Sequence, residues 1–181
     1  MRFIKIYRSL FLIALAIIVL DQVSKELVRT YIPLNNYWVP WEWMAPFARL
    51  VHISNTGVAF GLFQGMGTVF AILAMIVSVA IIIYYPRVPT DDWTLRLAMG
   101  LQLAGALGNL IDRLVFGYVT DFISVGNFAV FNVADSSITI GVGVLLLGIW
   151  LQERRAKQQA PEPAPVETAP VEHPGEETPK Q

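Results

Sequence analysis

Four apolar blocks, each close to the length of a membrane span, constrain this chain more than any other feature of its sequence. A hydrocarbon core about 30 Å thick needs roughly 20 apolar residues in a helix. The blocks run over about 9–28, 67–85, 94–115 and 134–151. Composition points the same way: 55% of the residues are hydrophobic and only 15% charged, too little charge to cover a soluble domain of this size. The expectation is an all-α membrane protein of four transmembrane helices.

Lysine and arginine set the expected orientation. Arg2, Lys5 and Arg8 precede the first block, Arg87 and Arg96 flank the link between the second and third, and Arg154, Arg155 and Lys157 follow the fourth. The other side holds Lys25, Arg29, Arg49 and Arg113. The positive-inside rule then puts both termini in the cytoplasm. The N-terminus also resembles a secretory signal. However, Ala14 and Ala16 lie inside the apolar run and not after it, so the block is read as a first span. Between the first and second spans, Tyr37, Trp38, Trp41 and Trp43 predict a small extracytoplasmic subdomain lying on the membrane surface. Residues 1–155 are expected to form the four-helix domain, and the Pro/Glu-rich stretch 156–181 a disordered cytoplasmic tail.

Several chemistries are excluded. The chain has no cysteine, hence no disulfide, thiolate metal site or cysteine nucleophile. His52 stands apart from His173, and no HExxH pair exists. A net charge of −1 without a basic, aromatic-interleaved stretch gives no case for nucleic acid. No metal and no cofactor are expected.

Ionisable groups are expensive within a membrane and usually face a cavity or a partner. The topology brings Asp21, Lys25, Asp112, Arg113, Asp121 and Asp135 to one depth near the outer face, with Asn55 and Asn132 beside them. Each has a plainer reading. Asp21 and Lys25 are spaced for an i,i+4 salt bridge. Asp135 can cap a helix. Asp112 and Arg113 can pair at a helix end, Asn55-Thr56-Gly57 can be a turn in which glycine supplies a positive φ, and Gly105 and Gly108 can serve helix packing. Convergence at one depth is what these readings leave unexplained. Ser24 and Lys25 are adjacent on a helix and point about 100° apart, a poor arrangement for a shared proton. Two carboxylates can share one instead, the ionised one activating water and the neutral one polarising a carbonyl. Asp121, expected in a loop, and Asp135, at a helix start, form the best pair because water can reach both.

Five motifs complete the pattern: DQVSK at Asp21–Lys25, NTGVAF at Asn55–Phe60, GALGNLIDR at Gly105–Arg113, VTDFI at Val119–Ile123 and FNVADS at Phe131–Ser136. In this order, the sequence resembles the lipoprotein signal peptidases, or signal peptidase II, an intramembrane aspartic protease family. Ala104 stands where the family often has a second glycine. The resemblance implies catalytic roles for Asp121 and Asp135. It implies supporting or substrate-binding roles for Asp21, Lys25, Asn55, Gly57, Asn109, Asp112, Arg113, Asn132 and Ala134. It further implies an enzyme of the bacterial inner membrane that cleaves diacylglyceryl-modified prolipoproteins just before the lipidated cysteine, works among membrane lipids, and is inhibited by the cyclic peptide globomycin. The rival readings are an ion- or proton-coupled transporter and a non-enzymatic scaffold. The charges gather at one face and form no path across, which disfavours the transporter.

Overall fold

A computed structural model describes residues 2–57 and 62–159. Four long helices dominate it: α1 (Arg2–Tyr31), α2 (Gly67–Tyr84), α3 (Trp93–Phe116) and α4 (Val133–Gln159). Three short strands, β1 (Tyr37–Trp38), β2 (Ala48–Asn55) and β3 (Val119–Val125), form one antiparallel sheet in the order β1-β2-β3.

Among the described residues, three helices are long and apolar enough to cross a membrane: α1 over Ile6–Tyr31, α2 with its following turn over Gly67–Arg87, and α4 over Val133–Arg154. The outward side chains of these helices, such as Leu15, Ile76 and Leu146, are exposed, which is how a helix facing lipid differs from one facing water. The sequence also marks α3 as a span, but by length and hydropathy α3 is not among the three. It carries Arg96, Gln102, Asn109, Asp112 and Arg113, and six of its residues are glycine or alanine. Its position accounts for that composition. α3 is the helix that packs against all three others, so its burial is against protein. Small residues let the neighbours come close: a Cβ on Gly105 would strike the Ala134 carbonyl and come within 2.5 Å of Ile138, and one on Gly108 would lie 2.8 Å from Asp21 Oδ2.

At the other end of the bundle, Tyr7, Leu10, Tyr85, Met99 and Leu103 form an apolar core. Arg96 locks it by donating to the Val88 and Ile6 carbonyls at 3.1 and 2.9 Å and stacking on Tyr85.

The sheet changes two expectations. The subdomain is not confined to the link between α1 and α2, because its third strand comes from between α3 and α4. Asp121 therefore sits on a strand and not in a loop, paired with Ile53 of β2. Val119, Thr120, Phe122 and Ile123 are strand formers, and their partner strand lies some 70 residues upstream, a pairing that local reading misses. The β2–β3 register shifts between Leu50 and Ile53, a bulge beside Asp121. Tyr37, Trp38, Trp41 and Trp43 are all exposed on the subdomain. α4 runs to Gln159, so residues 156–159 of the expected tail are helical, while 160–181 lie outside the described residues. So do Val58, Ala59 and Phe60 of the second motif.

Candidate active site

The site is built where the C-terminal parts of α1 and α3 meet the sheet and the start of α4. Asn132 precedes α4, and its side chain accepts from Asp135 N at 2.9 Å while Asp135 Oδ2 accepts from Asn132 N at 3.2 Å. This reciprocal cap satisfies two otherwise orphaned donors and fixes the Asp135 carboxyl. A third donor of the same turn, Ala134 N, gives its hydrogen to Asp21 Oδ1 of α1 at 2.9 Å.

Asp21 and Lys25 do form the i,i+4 pair, at 2.8 Å and fully buried. Lys25 extends it, reaching Asp112 at 3.2 Å and Asn109 Oδ1 at 3.0 Å, so all three ammonium hydrogens have an acceptor. Asp112 also accepts from Thr120 N at 2.9 Å and from Gln22 at 3.2 Å. A buried ion cluster needs this full set of partners, since any unpaired charge there would be costly.

Asn109 and Asn132 carry the network to the two aspartates. Asn109 Nδ2 donates to Asp135 Oδ1 at 2.7 Å, and Asn132 Nδ2 donates to Asp121 Oδ1 at 2.8 Å. The second Asp121 oxygen accepts from Asn55 Nδ2 at 2.8 Å. Asn55 is held in turn by Gly57 N at 2.9 Å. Gly57 is needed for close approach and not for a positive φ, because a Cβ there would strike the Leu62 carbonyl.

Asp121 and Asp135 line one cleft of about 710 Å³ between α2, α3 and α4, with mainly apolar walls that include Phe70, Leu73, Val77 and Ile138. Burial, and after it the neighbouring Asp135 carboxylate, pushes the Asp121 carboxyl up from 3.8 to about 6. The amides of Asn55 and Asn132 pull against that rise.

Asp112 and Arg113 do not pair with each other. Asp112 faces α1, whereas Arg113 turns into the cleft and donates to the Gly57 and Asn109 carbonyls at 3.2 and 3.3 Å. Adjacent helical residues diverge by about 100°, which separates their roles. The serines offer no rival nucleophile: Ser24 donates to Asp21 O, Ser136 to Asn132 O, and Ser137 to Ala134 O and Leu101 O.

All eleven residues named from the sequence thus stand in one cluster or on its wall. Three further members were not named. Gln22 bridges Asp21 and Asp112. Thr120 gives its N–H to Asp112, and Arg29 donates to Thr120 Oγ1 at 3.0 Å. For Gln22 and Arg29 the signal was the stripe Asp21, Gln22, Lys25, Arg29 on one face of α1; Thr120, on β3, had none.

The family profile described as "Signal peptidase (SPase) II" matches residues 13–151. The chain belongs to the signal peptidase II family. It is similar to the lipoprotein signal peptidase of Moorella thermoacetica, 40% identical over 152 residues that cover 84% of this chain and 97% of that one. The corresponding protein of Shouchella clausii is 41% identical over 149 residues, 82% of this chain and 97% of its own length. A solved bacterial membrane enzyme superposes with a TM-score of 0.72 at 29% identity, covering 84% of this chain and 92% of the other. As a signal peptidase II, the protein is a bacterial membrane protease that removes signal peptides from prolipoproteins. The transporter and scaffold readings are set aside on the same ground.

Proposed function

We propose that this signal peptidase II is an aspartic endopeptidase in which Asp121 and Asp135 share one proton. The observation that carries this reading is the position of Asn132. Its side chain holds one carboxylate and its backbone N–H the other, beside a cleft with mainly apolar walls. The ionised aspartate takes a proton from water as that water attacks the scissile carbonyl. The neutral one hydrogen-bonds the carbonyl oxygen and then helps protonate the leaving amine. The nucleophile is water, so no covalent enzyme intermediate forms. Asp21, Lys25, Asn109 and Asp112 keep the geometry, and Arg113 lends positive charge.

In this reading the chain crosses the bacterial inner membrane four times, with α3 enclosed by the others, both termini cytoplasmic and the aspartates near the outer face. Its substrates are diacylglyceryl-modified prolipoproteins cut just before the lipidated cysteine. The apolar walls suit a substrate that arrives from lipid, and globomycin would compete for the same cleft. Residues 1–155 then hold the whole catalytic apparatus.

Asp121→Asn and Asp135→Asn test the chemistry, since Asn is nearly isosteric but cannot act as this base. Each is expected to cut a lipidated lipobox peptide about 10²–10⁴-fold more slowly than wild type, with uncut lipidated precursor accumulating in cells. Near-normal cleavage by either variant would remove that residue from the mechanism. An unlipidated peptide measured in parallel reads the dependence on the lipid.

A further inference from the structure

A peptide bond inside a helix is screened by its neighbours, so a protease must hold its substrate unwound at the cut. In water the freed amides are solvated at once. In a hydrocarbon layer each freed N–H and C=O must find a protein partner. The part of the cleft that receives the signal peptide therefore needs a polar group to spare.

Most polar side chains of the cleft are already engaged. Asn55, Asn109, Asp121 and Asp135 belong to the network above, and Ser136 and Thr139 turn their hydroxyls onto carbonyls of their own helix at 2.8 and 3.0 Å. Gln102 differs. It lines the cleft and is half-buried, and its amide hydrogen-bonds to no described residue. It lies two turns along α3 from Asn109, about 10 Å farther from the aspartates. Gly105 and Ala106 line the wall between them and leave room for a backbone to lie against α3. Gln102 also borders a second, apolar pocket of about 270 Å³ edged by Ile81, Tyr84 and Leu145. It is thus the polar step between the catalytic cleft and an apolar continuation.

We propose that Gln102 contacts the substrate, pairing its carboxamide with the main chain of the signal peptide about three residues before the cut. This rests on the aspartic protease reading above. The spacing follows from the 10 Å gap and an extended rise of about 3.3 Å per residue. A carboxamide both donates and accepts, so it can meet a peptide N–H and a peptide C=O alike. It reads backbone and not side chains. Its effect is to fix where the signal helix stops unwinding, and so which bond arrives at the aspartates.

Lipidated peptides carrying a single ester in place of the amide about two, three or four residues before the cut remove one N–H at a time. Wild-type enzyme is expected to lose about tenfold in kcat/KM at one of these positions. Gln102→Leu should be about tenfold slower than wild type on the all-amide peptide and indifferent to that ester. Gln102→Met, unbranched and apolar, should behave alike and separates a lost hydrogen bond from altered packing. The assignment is overturned if wild type ignores every ester, or if Gln102→Leu keeps full kcat/KM or the same ester penalty. Asp121→Asn is measured alongside: retained activity there strikes the dyad, whereas a null result at Gln102 with an inactive Asp121→Asn strikes only the contact.

Discussion

Asn132 spends every polar atom of its side chain on the site: its Oδ1 accepts from Asp135 N, and its Nδ2 donates to Asp121 and to Asn109. Replacing either aspartate thus perturbs a shared tether as well as a charge. The proton affinity of Asp121 has a consequence for pH. Its folded value, about 6, lies above the ordinary 3.8. Between those values the folded chain still holds a proton that the unfolded chain has released, so this carboxyl's contribution to stability falls as pH rises through that window. The detergent-solubilised protein is therefore expected to lose thermal stability from about pH 4 to pH 6. A melting temperature flat across that window would mean that Asp121 keeps its ordinary proton affinity in the folded chain. Arg113 makes a second residue-scale case. Its fork spans the Gly57 and Asn109 carbonyls while its guanidinium lies 5.8 Å from the centre of the Phe70 ring. Arg113→Lys keeps the charge but loses that planar geometry, and should lower kcat/KM by roughly tenfold. Full activity would reduce Arg113 to a simple charge.

The elements differ in how plainly the sequence announces them. The blocks expected at 67–85 and 94–115 are the helices Gly67–Tyr84 and Trp93–Phe116. The outer two helices run longer than their apolar blocks, from Arg2 and to Gln159. Hydropathy stops at the first charges, whereas Arg, Lys, Glu and Gln continue a helix readily. The sheet is nearly silent in the sequence because β2 and β3 find each other across α2 and α3, and only the completed bundle brings them together. That the polar groups gather at one end of the bundle was legible from helix direction alone. Which amide holds which carboxylate was not, because that depends on side-chain geometry. The α3–α4 contact supplies an element-scale prediction. Gly105→Ala places a methyl against the Ala134 carbonyl and Ser137. It should cost about 1–3 kcal/mol of stability and push away the turn that carries Asp135. Thermal unfolding and cleavage measured on the same preparation check both effects. An Ala variant as stable and active as wild type would show that this approach has slack.

At the scale of the molecule, the proposed dyad lies at one end of the bundle and the packing lock of Tyr7, Tyr85 and Arg96 at the other. Among the described residues, the polar network calls on none beyond the start of α4. A chain ending after Lys157 should therefore reach the membrane in normal amount and cleave at the wild-type rate, as judged by immunoblot and peptide assay. Lost activity at normal abundance would give the tail a part in the work. One detail described above bears on how such an enzyme is born. Asp21, near the end of the first helix, receives the Ala134 N–H at the start of the last. Asp135 enters the cluster only when that final helix docks. During synthesis Asp121 is made only 14 residues ahead of Asp135, and neither can meet the other until α4 is complete. On the chemistry proposed here, a half-inserted chain is inert, and the protease cannot cut its membrane neighbours until the whole of its own fold is in place.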